Sequence, residues 1–553
     1  MGHVLIWIES LAVSLLLIAT VIACTSRIRR RWLGLTISLL VCIFVFLPYL
    51  LLDIWAGFVK FHDSLDVPFY PLVTITIFYL GGAIWLFIAG YRGVNWARGK
   101  LSLAFGVAVA LHLMTFWNMD LAAQQQLAVL RADAGALALS VAPPRVPDND
   151  NAAILYEQAA DILDNAIQAM PTETIKKETP SNDNSPNMPT AQKAWNKWLD
   201  AMYEPDFNSK DPELARFLQQ QSGTIALIIA GSKKPGCYFE HGYSQPRIDM
   251  KLPEIQSMRQ LARLLMLDAR CKTAIGDYRA AIEDVNTLYV LSSQNGFAPF
   301  MVSNLVSASI NEMAGETLQY ILHLNQIGEE DLKTIKLNDL VSYQKNTLRA
   351  FQYEEAMRLS ACIELSNNFP GFMRFINSNG NAYRQVQNDV SGVSFLFRIF
   401  MMDKDIETHY LYSEESNKLA TKPYYQVKDD WRVFNAKIVK SQSLTVRVLF
   451  PAVETFAKAM ARADAQRRLA EIALAMCRYR AKNGKYPIKL NALVADFIAD
   501  VPVDPFDGKP MRLKQTDGKL VIYSIGLDGI DDGGTRFDTE TKKGDITFEL
   551  PNK

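Results

Sequence analysis

The chain has 553 residues, with Lys plus Arg and Asp plus Glu balanced at 58 each. That balance excludes a global field that would recruit nucleic acid or anionic lipid. The length exceeds one ordinary soluble domain and implies roughly two to four.

Four apolar runs lie before Asp120: "VLIWIESLAVSLLLIATVIAC", "LGLTISLLVCIFVFLPYLLL", "PLVTITIFYLGGAIWLFIAG" and "LSLAFGVAVALHLMTFW". Each approaches the roughly 20 residues that carry a helix across a bilayer. Four buried core helices are the alternative, but such helices seldom run this long without charges. The expectation is therefore a four-helix transmembrane anchor over residues 1–120, with the lipid bilayer as a partner. The first and third loops are basic, through Arg27, Arg29, Arg30 and Arg31 and through Arg92, Arg98 and Lys100. The second loop has only Lys60 against Asp53, Asp63 and Asp66. Both basic loops are expected inside the cell, and everything after Asp120 outside. A cleaved signal peptide, with "VIAC" as a lipoprotein-type site and Cys24 as the lipidated residue, is the alternative for the first run, against which stands the lack of a basic start. Glu9 and His112 fall within the first and fourth runs. Intramembrane polar groups are candidates for transport or sensing, although Glu9 can reach the interface and a neutral His112 needs one partner.

From Leu121 to Asp464 the pattern is helical, and a mainly α domain of paired helices is expected. "VAPPRVPDND" breaks it, and "NAAILYEQAADILDNAIQAM" resumes with apolar residues at helical spacing. Residues 171–190 are rich in proline and asparagine and read as a mobile loop. "MRQLARLLMLDARCKTAIGDYRAAIEDVNTLYVLSSQNG" reads as helix, turn, helix. Gly276, Tyr278 and Ala281 stand where a tetratricopeptide unit places its turn glycine, aromatic and packing alanine, and an ordinary helical hairpin is the alternative. "VSFLFRIFMM" is too short to span a bilayer and reads as core. Cys237, Cys271, Cys362 and Cys477 permit disulfides in an oxidising compartment, without choosing a pairing. "CYFEH" gives Cys237 and His241 ligand-like spacing with no second pair.

Residues 465–553 read as a small α+β domain: a long helix stopping at Asn483–Gly484, then strands "MRLKQT" and "KLVIYSI" joined by an Asp517–Gly518 hairpin turn. "DITFEL" supplies a last strand. The linked pattern "YRAKNGKYP…LNALV…VPVDPFDGKPMRL…LVIYSIGLDGIDDGG…GDI" resembles the globular part of the major pseudopilin of the type II secretion system. The resemblance covers about the last 90 residues. It implies a pseudopilin-like fold and a calcium loop whose ligands are Asp528, the Ile525 carbonyl and Asp545, with Asp531, Asp532 and Asp538 as local substitutes. "TRFDTETKK" then stands as an insertion. The loop is not an EF-hand, because Ile530 falls at a ligand position and Thr539 replaces the closing Glu. A solvated acidic turn, its glycines permitting positive φ, is the other reading. The module departs from pilins in standing at the far end of the chain, behind a charged helix. The chain as a whole resembles large membrane-anchored proteins of planctomycete-type bacteria, which implies a multi-pass protein of a bacterial inner membrane with its later domains on the periplasmic face.

Catalytic patterns are near misses. "GVNWARGK" is one residue too long for a phosphate loop. Ser342 and Lys345 have nucleophile spacing without the motifs that accompany it. Glu354 and Glu355 point about 100° apart on a helix and read as a solvated face. The function expected is that of a structural or interaction protein with a protein partner of unstated identity and a calcium-stabilised tail. The alternatives are a hydrolase with an unrecognised site and an accessory part of a secretion or pilus-like machine.

Overall fold

A computed structural model describes residues 98–169, 190–202, 211–324, 327–337, 343–367, 402–441, 443–450, 453–516, 518–538 and 540–552. Fourteen helices lie among them: α1 (Arg98–Val141), α2 (Ala152–Gln168), α3 (Thr190–Ala201), α4 (Pro212–Gln220), α5 (Ser222–Ser232), α6 (Glu254–Ala274), α7 (Tyr278–Asn295), α8 (Met301–His323), α9 (Glu329–Thr334), α10 (Tyr343–Asn367), α11 (Met402–Ala420), α12 (Tyr424–Lys440), α13 (Leu444–Leu449) and α14 (Val453–Asn483). Strands β1 (Arg512–Thr516), β2 (Lys519–Ser524) and β3 (Ile546–Pro551) form one antiparallel sheet in that order.

The expected transmembrane anchor, and with it the multi-pass inner-membrane location, is not met. Among the described residues no helix is long and apolar enough to cross a membrane. The first three apolar runs, with Glu9, lie outside the described residues. The fourth opens α1, which does not stop where a span would end but continues as one helix of 44 residues. Its second half carries Asp120, Arg131 and Asp133 and buries Ala123, Leu127, Leu130, Ala134 and Ala138. Those positions recur every three or four residues, the stripe of a helix packed on protein. The loop expected at 171–190 and the run ending at Met402 also fall outside the described residues, apart from their last positions.

The chain divides into two compact units, one gathering the residues to Ala132, Leu359–Tyr410 and Val439–Leu449, the other Asp133–Arg358, Leu411–Ile438 and Phe450–Lys553. In the first, Asp405 and His409 stand one turn apart and fully inside, and the Asp405 carboxylate accepts the Thr445 N–H at 3.3 Å.

The second unit is built from helical pairs. Asn151 caps α2 by accepting the Ala153 N–H, and Asp211 does the same for Glu213 ahead of Pro212 at the first turn of α4. Between α6 and α7 the chain reverses at Gly276, whose φ of +84° suits a residue without Cβ. Asp277 then caps α7 through the Ala280 N–H, and Ala281 is fully buried at the crossing. Helices α6, α7 and α8 pack on one another, α2 packs on α5 and α6, and α14 lies along α8. Helix α14 also packs on β2 and β3, and β3 reaches α8 as well. One hydrophobic core therefore gathers residues from Ala152 to Leu550, and residue 464 lies within α14. The four cysteines expected outside the membrane, Cys237, Cys271, Cys362 and Cys477, are free thiols.

Leu520 pairs with Leu550 and Ile522 with Phe548, placing their side chains on the face that meets α14. The intervening Val521 and Tyr523 are buried too. A strand buried on both faces reads as a continuous apolar run, and the cover on this second face is the acidic loop.

Candidate functional site

The sequence directs attention to the loop between β2 and β3, and the structure shows how it is held. Gly534 (φ +79°) lies so close to the sheet that a Cβ there would stand 3.2 Å from Val521 Cγ1 and 3.3 Å from Tyr523 Cδ1. Lys514 of β1 donates to the Gly533 carbonyl at 2.6 Å.

The predicted ligands do not converge. The Asp528 carboxylate accepts the N–H groups of Ile530 at 3.0 Å and Gly544 at 3.3 Å, closing the loop's base. Asp545 is fully buried and accepts from Gly534 at 2.6 Å and Asp532 at 3.4 Å. Burial raises its pKa, and those two amides oppose the rise. Ile525 donates its N–H to Asp504. Asp532 is exposed, and its carbonyl accepts from the Thr535 hydroxyl. Asp538 is exposed on the 535–543 limb, where the Glu540 N–H and then the Thr541 hydroxyl lower its pKa. Asp531 accepts the Gly533 N–H and pairs with Arg512.

Arg512 is the residue the motif reading passed over. Its Nη1 lies 3.2 Å from Asp504, its Nη2 2.5 Å from Asp507 and its Nε 3.0 Å from Asp531. Burial alone would lower its pKa, but Asp507 first, then Asp504 and Asp531, hold it above the ordinary value. Asp504 has no exposed surface and further accepts the Ser524 hydroxyl at 2.8 Å and the N–H groups of Phe506 and Ile525 at 2.9 Å. Four donors on one carboxylate make Asp504 the pin of the tail. The sequence signal was present in "DPFDGKPMR", where two aspartates precede an arginine that opens a strand.

A calcium ion takes about six to eight oxygens. The donor set does not fit such an ion. Amide hydrogens point at Asp528, Asp531 and Asp545, and a guanidinium already sits among Asp504, Asp507 and Asp531. Among the described residues no three His, Cys, Asp or Glu side chains group as metal ligands.

A second polar group lies in the helical pairs. His241 Nε2 is 2.9 Å from Glu254 Oε1, with side chains 6% and 3% exposed, and Phe239, Tyr243 and Phe300 ring the imidazole. The partner of His241 is thus a glutamate at the first turn of α6, not Cys237, whose buried thiol is pushed far above its ordinary pKa. So enclosed a pair offers a substrate no surface. Glu354 and Glu355 are not a solvated face: Glu354 accepts the Met301 N–H at the start of α8, and Glu355 accepts from Asn417 at 2.9 Å. Burial raises the pKa of both.

No family model, curated protein or solved structure matches the chain.

Proposed function

We propose that the chain is an interaction protein: a framework of paired helices that offers surfaces to a protein partner, with its α+β tail built into the same core. The observation that carries this reading is the double duty of α14, which packs both on α8 and on β2 and β3, with β3 reaching α8 as well. Such continuity keeps the helical layers and the tail in fixed register, which suits presentation of a composite surface. It also argues against a fibre subunit. A pilin-like helix must leave its leading half free to pack with other copies, whereas here Val453, Phe456, Met460, Ala461 and Ala465 at the head of α14 are buried within their own chain.

The polar groups in the unit serve structure. Asp504, Asp545, Glu254 and Asp284 are buried and engaged by partners within the chain. The test has two arms. Crosslinking in intact cells followed by mass spectrometry should recover a reproducible partner joined through residues of the second unit. The purified chain should show no turnover across a broad hydrolase panel. Turnover abolished by one carboxylate substitution would overturn the reading.

A further inference from the structure

We propose that Arg512 stands in for a divalent cation at the centre of the tail, so that the acidic loop is locked by a guanidinium and folds without calcium. The inference is independent of the partner-binding reading and starts from the geometry of the fork. Each of three edges of one planar group serves a different carboxylate: Nε serves Asp531, Nη1 serves Asp504 and Nη2 serves Asp507. These carboxylates come from two separate segments, the 504–507 turn and the 528–533 loop. Joining distant acidic segments is the task a bound cation performs in such a loop. An arginine, always charged and with its donors fixed in a plane, can perform it from within the chain.

Position supports the assignment. Arg512 opens β1 and pairs in register with Tyr523 of β2, so the sheet itself aims the guanidinium. Its side chain is 18% exposed, Asp504 is not exposed, and Asp507 is 14% exposed, so water does not compete strongly for these bonds. Two further loop carboxylates are engaged by backbone donors. Asp528 takes two N–H groups and Asp545 two more, the second pair from residues 532 and 534. Hydrogens aimed at those oxygens repel a cation that would need them as free acceptors. A divalent ion would have to displace the guanidinium and reverse these amides together.

Hydrogen exchange on the full chain tests the proposal, read in peptides covering residues 526–545. In the native sequence, protection of the Gly533 and Gly534 amides should be the same in calcium chloride and in EDTA. Arg512→Gln should speed exchange of those amides at least tenfold while leaving α6 and α7 unchanged, and Arg512→Lys should fall between, since an ammonium can serve fewer of the three carboxylates well. Should Arg512→Gln unfold the chain, Asp531→Asn breaks one arm at a half-exposed position and should loosen the same amides. Saturable slowing of native exchange by calcium would overturn the proposal, as would unchanged loop exchange in Arg512→Gln.

Discussion

Gln319 in α8 accepts, through its side-chain carbonyl, the backbone N–H of Glu549 in β3 at 3.1 Å. The bond crosses from the helical layers to the last strand, between residues 230 positions apart. It sits over the shared core in which Leu318, Leu469, Ala473 and Leu550 are all buried.

If the tail and the helical layers are one folding unit, damage to either should be felt by both. Leu550→Ala removes a fully buried side chain and should cost about 2–5 kcal/mol. Native-state hydrogen exchange should then quicken in α8 as well as in β2. A response confined to the sheet would mark the tail as a separate domain.

Glu316, one turn along α8 from Glu312, makes stability depend on pH. Burial pushes its carboxyl up to about 7 from 4.5, and Glu312 adds to the rise, while Arg536, Arg270 and Arg462 oppose it. A carboxyl raised on folding binds more protons in the native state than in the unfolded one between these values. Stability from this group is therefore present below about pH 4.5 and lost as pH rises through about 7. The side chain is 31% exposed, so solvent screening trims the loss to about 2 kcal/mol. Glu316→Gln should flatten that part of the urea-midpoint profile and raise the midpoint at pH 8. A mutant with the native profile would mean that the arginines hold Glu316 ionised throughout.

What the sequence disclosed followed the range of each signal. The α6–α7 hairpin was legible because its glycine, cap and buried alanine lie within six residues, Gly276 to Ala281. The strands and the end of α14 were legible for the same local reasons, with Gly484 at φ +74° closing the helix. The span reading failed at α1 because hydropathy measures the apolarity of a run and not where the helix ends. The double role of α14 was hidden by its charges. Arg467, Asp464, Arg468 and Glu471 satisfy one another along one flank, which leaves the other faces free to be buried. Arg512 was hidden for a tertiary reason: its three carboxylates come from segments that only the sheet register brings together.

Lys272 in α6 bridges Asp268 at 2.6 Å and Asp284 of α7 at 2.8 Å, and Asp284 has no exposed surface. The lysine is what permits two carboxylates to share the hairpin's interior. Lys272→Met should cost about 3–5 kcal/mol, because breaking a buried pair leaves charge uncompensated. Adding Asp284→Asn should recover part of that loss, since it removes the stranded carboxylate. Double-mutant urea unfolding measures the coupling, and strictly additive losses would show that the bridge contributes nothing beyond its separate side chains.

The 535–543 limb is folded back tightly at Gly544. Gly544 has φ +108°, and a Cβ there would lie 2.8 Å from the Arg536 carbonyl oxygen and the Phe537 Cα. Both are backbone atoms, so no rotamer change relieves the clash. Gly544 also donates to Asp528, so shifting it pulls on the carboxylate that closes the loop. Gly518, in the β1–β2 turn, has φ +85° but nothing within 4 Å of its Cβ position. The two glycines thus separate backbone strain from close approach. Gly518→Ala should cost about 1 kcal/mol for its positive φ alone. Gly544→Ala should cost about 3 kcal/mol, since displacement of the limb adds to the strain. Urea unfolding of the two variants checks the order, and equal losses would show that the limb swings away freely and does not hold the loop on the sheet.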